Sequence, residues 1–332
     1  MTDDIEHCDT AELSFEEPLF PAGMALDFGT SDFDEIAGQL QNWDLSFRQV
    51  QRGLFSGRLA MSHTASLQCI EADFRRGVGF EGMPAPDSYT FMLHVEAGDS
   101  LRLGHRPLGA DKLVAIPPNY EIVGNTQEPV RVLVVSVDTA LFEHHINAVC
   151  GKPLGDRTQI LDLSANKTML AQRWQSLLDM AVTKPEELTA PIRSHIFEEA
   201  FLSALTDTLV LPARSAPLHR RVQLARKARE FLHEHAANSI SLADMCRAVG
   251  ASERSLHLCF QECFGMSPKS YLKVLRLNGV RRALMNAGPY DTISRIASCW
   301  GFLHFGWFSV DYRRLFGETP SETIAKARLI LL

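Results

Sequence analysis

The 332-residue chain contains no run of eighteen or more apolar residues, so no membrane-spanning helix is expected. It has no basic residue before Arg48, although twelve acidic residues precede it. That excludes the basic-then-apolar start of a secretory signal and points to the cytoplasm. Its seven cysteines include no Cys-x-x-Cys pair, and reduced thiols are the simplest reading of an odd number. No P-loop, G-x-G-x-x-G fingerprint or Ser-His-Asp arrangement is present, so neither phosphate-cradling nor hydrolytic chemistry is indicated. The barrel-region histidines, His63, His94 and His105, form no His-x-His pair. Together with the scattered Cys8, Cys69 and Cys150, they give no basis for a metal site or other cofactor.

What is present is uneven. Apolar residues make up 45% and charged residues 22% of a chain whose net charge is -7. Residues 214–332 carry 18 Lys+Arg against 9 Asp+Glu, a net +9, which leaves -16 on the remainder. A basic end on an acidic body is the charge footprint of a nucleic-acid module joined to a carrier domain.

From about Phe47 to Val137 the chain reads as short strands separated by Gly, Pro, Asp and Asn, among them Arg58–His63, Leu67–Asp73, Tyr89–Val95, Lys112–Ile116 and Val130–Val137. Such a series predicts an antiparallel sandwich or barrel. Residues 1–40 read as a loosely docked acidic segment. Helices are predicted from Asp138, as a cap, to about Val149, then over about Ala165–Ala181 and Pro191–Val210. The Pro- and Ser-bearing stretch Leu211–Pro217 is the candidate linker. Trp174, Leu177, Leu178, Ile196, Phe197, Phe201, Leu202 and Leu205 recur at helical spacing and can serve either a homodimer or packing on the barrel.

The last third repeats a unit. Ser241 opens a capping-box-like start before Leu242, Met245, Cys246 and Val249, which lie on one helical face, and Gly250 suits a left-handed end. Ser252 caps a second helix with Leu256, Cys259, Phe260 and Cys263 inward, ending at Gly265. About fifty residues on, Asp291 is the expected cap of a helix with Ile293, Ile296, Ala297 and Trp300 on one face. A second helix follows with Phe308, Tyr312, Leu315 and Phe316 inward, ending at Gly317. Each pair is a helix-turn-helix, over about 242–263 and about 293–315. Between them Ser267-Pro268 starts a helix of about 19 residues, about 28 Å long. That is close to the roughly 34 Å between successive major-groove faces of DNA. Cys259 and Cys263, four apart, fall on the buried stripe and read as core thiols rather than a metal or redox pair.

The run Ser241–Gly265, then Ser267-Pro268, Tyr271-Leu272 and Arg276-Leu277, Ile293–Phe302, and Phe308 to Ser321 resemble the DNA-binding domain of the AraC/XylS family. The resemblance implies seven helices, two of them recognition helices, and transcription control. The front half resembles more loosely the cupin-type sensor domains that precede this module. Leu258 and Val310 stand where the family often has basic residues. An outward aliphatic group can meet a thymine methyl but cannot make bidentate guanine contacts.

These readings combine into a multidomain α+β protein. Its parts are the acidic segment 1–40, a cupin-like sensor domain at 41–164, a helical connector at 165–212 with a possible dimerisation role, and an all-α double helix-turn-helix domain at 214–332. The expected DNA-facing residues are Arg254, Ser255, His257, Leu258 and Gln261 in the first unit. In the second they are His304, Gly306, Trp307, Ser309, Val310, Arg313 and Arg314. Arg281, Arg282 and Arg314 are expected on phosphates. Double-stranded DNA, RNA polymerase, a small-molecule effector and a second copy of the chain are the expected partners. Trp43, Arg48, Arg75, His63 and His94 are the candidate effector contacts, and a carboxylic acid is the first candidate ligand. Control by abundance or a protein partner, and a cupin-type enzyme with a regulatory tail, are the alternatives.

Overall fold

The computed structural model describes residues 18–40, 42–95, 101–104, 106–109, 112–150, 154, 158–163, 167–208, 220–238 and 240–330. The candidate linker Leu211–Pro217, His105 and residues 1–17 lie outside them.

The front of the chain runs β1 (Ala25–Thr30), α1 (Phe33–Gln39), β2 (Asp44–Gln49), β3 (Gly57–His63), β4 (Leu67–Phe74), β5 (Val78–Met83), β6 (Ser88–His94), β7 (Arg102–Leu103), β8 (Arg106–Pro107), β9 (Lys112–Ile116), β10 (Ile122–Asn125), β11 (Val130–Asp138), α2 (Thr139–Cys150), β12 (Gln159–Asp162), α3 (Lys167–Thr183) and α4 (Pro191–Thr206). The pairings are antiparallel, and the strands form two sheets in the orders β1-β3-β4-β11-β6-β9-β12 and β2-β5-β10-β7-β8.

The period of two along β11 explains the layering. Val130, Val132 and Val134 point between the sheets, where Phe47, Phe74 and Phe80 meet them. Leu133, Val135 and Val137 point the other way, into a second cluster under α2, α3 and α4. With both faces covered, the strand reads as an almost unbroken apolar run, as buried strands do.

This layering settles the helical stripes. Trp174, Leu178, Phe197, Phe201, Leu202 and Leu205 are buried against the large sheet, and Leu177 packs at the edge of the same cluster. Of the two uses left open for these residues, homodimer or packing on the barrel, the burial shows the second. Only Ile196, 63% exposed, faces outward beside Ile192. A correction concerns residues 1–40. Within the described part, β1 is an edge strand of the large sheet, and Phe20, Phe33 and Ile36 are fully buried.

Seven helices follow among the described residues: α5 (Arg220–His235), α6 (Leu242–Val249), α7 (Glu253–Phe264), α8 (Pro268–Met285), α9 (Ile293–Cys299), α10 (Phe305–Phe316) and α11 (Pro320–Ile330). Their starts obey local chemistry. Ser241 and Asp244 form a reciprocal capping box, and Ser252 and Ser267 cap α7 and α8. Thr319 and Glu322 exchange backbone bonds at α11. Gly250, Gly265 and Gly317 end their helices in the left-handed conformation. Thr292, not Asp291, caps α9, while Asp291 accepts from Gly288 N at 2.8 Å. The neighbouring residue reaches the free amides better because Asp291 is engaged in the preceding turn.

Trp300 is the C-cap of α9 rather than a member of its stripe. Its ring lies so close to α8 that a Cβ on Gly279 would sit 2.3 Å from it. Only a residue without a side chain permits that approach. The β-rich front domain with its helical layer, joined to an all-helical C-terminal domain, is the multidomain α+β architecture expected from the sequence.

Candidate nucleic-acid interface

In each unit the second helix, α7 or α10, buries one stripe and exposes the rest. On α7, Leu256, Cys259, Phe260 and Cys263 are buried, whereas Arg254, Ser255, His257, Leu258 and Gln261 are exposed. On α10, Phe308, Tyr312, Leu315 and Phe316 are buried, whereas Gly306, Trp307, Ser309, Val310, Arg313 and Arg314 are exposed, as is His304 at the N-cap. The burial follows from the 3.6-residue period, which sends positions i, i+3, i+4 and i+7 to one side. Burial pushes the Cys259 thiol up to about 11 and Cys263 to about 12, so both stay protonated core groups at neutral pH.

The second unit also carries an apolar surface that periodicity alone underplays. Leu303 and Trp307 are each 77% exposed, and Phe305 and Val310 flank them outside the buried stripe. Apolar groups clustered on a solvent face mark an interaction surface. The signal was available in the sequence, since all four fall off the core stripe.

The front domain grips both of these helices at their C-terminal ends. Arg102 Nη1 donates to Glu262 O at 3.0 Å, Asn125 Nδ2 to Cys263 O at 2.9 Å and Gln127 Nε2 to Phe264 O at 3.3 Å. These are the last carbonyls of α7, which lack intrahelical donors, and a cation there also complements the helix dipole. On α10 the carbonyl of Leu315 accepts from Gly53 N at 3.0 Å and from Gln49 Nε2 at 2.7 Å. The exposed faces are thus presented by helices whose ends are fixed from behind.

The intervening helix α8 is anchored in the same way. Asn278 accepts from Gln49 N and donates to Gln49 O, both at 3.1 Å, so its amide continues the edge of β2. Arg281 pairs with Asp32 at 3.0 Å and stacks over Phe33. Arg282 pairs with Asp34 at 2.9 Å and donates to Phe47 O. This corrects the expectation that Arg281 touches phosphate, since it is buried on Asp32 at the cap of α1, while the half-exposed Arg282 is already paired with Asp34 of α1. Arg314 remains exposed.

Arg48 is buried at the centre of the same junction. It forms a two-pronged pair with Glu81 and donates to the Tyr271 hydroxyl at 2.9 Å. Arg229 and His233 of α5 approach Glu81 from the other side, at 3.8 and 3.2 Å.

The five candidate effector contacts do not converge. Arg48 belongs to this junction, and Arg75 is an exposed partner of Asp73. Trp43 Nε1 donates to Gln68, whose amide meets His63 at 3.0 Å. His94 is buried on β6. A cleft lies elsewhere, between the small sheet and α5, with a volume of about 540 Å³. Leu103, Tyr120, Ile122, Ile160, Val222 and Phe264 are among its apolar walls. Its polar groups, among them Arg106, Glu121, Thr158, Arg226 and Arg229, come from segments far apart in the chain, which is why sequence reasoning missed them.

Residues 245–326 match the family described as a helix-turn-helix domain. The probable thc operon regulatory protein of Rhodococcus erythropolis is 32% identical over 205 residues, which are 59% of this chain and 61% of that protein. The XylDLEGF operon transcriptional activator of Pseudomonas putida is 34% identical over 100 residues, 30% of this chain and 31% of that protein. A solved structure of a probable AraC family transcriptional regulator from Rhodopseudomonas palustris is 30% identical and covers 32% of this chain and 97% of that one, with a TM-score of 0.30. The chain spans less than two thirds of the length of these two curated relatives. The C-terminal helix-turn-helix domain is of the AraC type, the type that these regulators carry.

Proposed function

We propose that the chain is a sequence-specific DNA-binding transcription regulator, an activator by the analogy of its relatives' names, in which α7 and α10 read two segments of major groove. The observation that carries this reading is the pair of outward helix faces, each backed by a buried stripe and held at its end by the front domain. Arg254, Ser255, His257, Leu258 and Gln261 would contact DNA from α7. His304, Gly306, Trp307, Ser309, Val310, Arg313 and Arg314 would do so from α10. Trp307 and Val310 suit thymine methyls, and Arg254 suits a guanine edge.

A cytoplasmic setting and contact with RNA polymerase follow from that role. Among the described residues no helix is long and apolar enough to cross a membrane. Occupancy at a promoter would be set by an effector that changes how the front domain holds the two helices.

Arg254→Ala and Trp307→Ala should each cost about 1–3 kcal/mol of affinity at separate base pairs about one helical turn apart. Arg314→Ala, a phosphate contact in this reading, should weaken all sequences alike and flatten the salt dependence. Footprints and gel shifts of the full chain on its operator, at two salt concentrations, check both. Loss at the same base pairs in the two base-reading variants would contradict two-groove binding.

A further inference from the structure

The cleft between the small sheet and α5 is lined by two side chains that each carry a buried polar atom with no hydrogen-bond partner. Arg229 has a side chain only 6% exposed. Its Nη2 donates to Glu121 at 2.6 Å and its Nε faces Glu81 at 3.8 Å, yet Nη1 is buried without an acceptor. Thr158, which lines the same cleft, likewise has a buried and unpartnered Oγ1. Buried donors are rarely left unmade, and an orphaned guanidinium N–H is among the more costly. Two of them on the wall of one cleft point to a missing acceptor.

The rest of the wall narrows its chemistry. Arg106, Arg226 and Arg229 outnumber the single acid, Glu121, which favours an anion of low charge. Leu103, Ile122, Ile160, Val222 and Phe264 favour an apolar body. The cleft volume lies within the usual range for small-molecule sites, about 300–1,000 Å³.

We propose that this cleft binds a small monocarboxylic acid with an apolar body, its carboxylate received by Arg229, Arg106 and Thr158. Arg106 and Thr158 belong to the front domain and Arg229 to the helical domain, so the acid bridges the two. A ligand held from both sides stabilises the arrangement in which the front domain caps α7 and α10, because it binds that arrangement and not the separated one. The proposal rests on the reading of the chain as an effector-controlled regulator and names the site and class of the effector.

The test uses the full chain with octanoate and 2-naphthoate as probes, and octan-1-ol and 2-naphthamide as uncharged controls. Thermal unfolding and calorimetric titration are the readouts. At least one acid should raise the melting temperature saturably, with its uncharged analogue bound at least about tenfold more weakly. Thr158→Val and Arg106→Gln should each reduce acid affinity by about tenfold, the loss of one charge-assisted hydrogen bond. Both variants should keep the ligand-free melting temperature, since among the described residues neither side chain makes a hydrogen bond or ion pair that the substitution would break. Three results would overturn the site: no shift with either acid, equal binding of the uncharged analogues, or undiminished binding in both variants. Gel shifts of the same preparations without acid report separately on DNA binding. Their failure would sink the regulator, whereas failure of the acid titrations would sink only this site.

Discussion

Replacing Arg48 with methionine should destabilise the folded chain by about 3–5 kcal/mol, the usual cost of removing one member of a buried ion pair. The Arg48 side chain is only 5% exposed, and both prongs of its guanidinium engage Glu81, with Tyr271 taking a further bond. Burial alone would raise the Glu81 carboxyl. Arg48, with smaller help from His233 and Arg229, overcomes that and holds it below its ordinary value. Without Arg48, Glu81 is left in a site that is 88% closed to water, with Arg229 at 3.8 Å as its remaining cation. Lysine should rescue little, since an ammonium cannot make the fork on Glu81 and stack on Tyr271 together. Urea unfolding of wild type, Arg48→Met and Arg48→Lys measures the loss, and a difference under about 1 kcal/mol would place Arg48 among ordinary surface pairs.

The consequence reaches α7 and α10. Arg48 sits on β2, whose next residue, Gln49, holds both Asn278 of α8 and the last turn of α10. Loosening β2 from Tyr271 frees the strand that caps α10. The variant should therefore also bind its operator with altered affinity while the exposed residues of α7 and α10 are untouched. The same junction explains why the charge of the C-terminal domain overstates its attraction for phosphate: part of its +9 is spent on Asp32, Asp34, Glu81 and Glu121 of the front domain.

That division marks what could be read from the sequence. Helix starts were legible because Ser241, Ser252, Ser267 and Thr319 each accept from the amide three residues on, and a local pattern carries a local bond. The outward faces of α7 and α10 were legible for a related reason: a stripe that must be buried leaves its complement exposed. Strands β3, β4, β6, β9 and β11 announced themselves by dense apolar and β-branched runs. Strand β5 did not, because Gly79 and Gly82 interrupt VGFEGM, and β1 did not, because an edge strand needs only one apolar face.

The junction itself was illegible. Asp32 and Arg281 are 249 positions apart and Arg48 and Tyr271 are 223 apart, and nothing in either neighbourhood names its partner. A cluster of arginines in a basic domain reads as phosphate-seeking until the acids that meet it are placed in space. The cleft beside α5 was hidden for the same reason, as its walls come from β7, β8, β10, β12, α5 and α7.

The folded chain should lose stability steeply as pH falls from 7 to 5. Burial pushes His63 down from 6.5 to about 4. Burial also lowers His233 to about 4, with Arg48, Arg229 and Arg282 adding to the effect and Glu81 opposing it. Both rings are therefore neutral in the folded chain at pH 5, whereas in the unfolded chain both are mostly protonated. The unfolded state binds more protons between the two values, so stability is full above about pH 6.5 and drains away as pH falls toward 4. For a fully realised shift the loss between pH 7 and 5 is about 2 kcal/mol per histidine. His63 should approach that figure because it is wholly buried, and His233 should fall short of it because its side chain is 30% exposed. Glu81, held low, adds a further loss only in stronger acid, as pH drops through its folded value. Urea unfolding at pH 7, 6 and 5 gives the slope directly. His63→Asn removes one titrating ring while leaving an amide to face Gln68. Whatever it does to stability at pH 7, it should cut the pH slope by roughly half. An unchanged slope in that variant would mean that His63 titrates normally and that the acid sensitivity lies elsewhere.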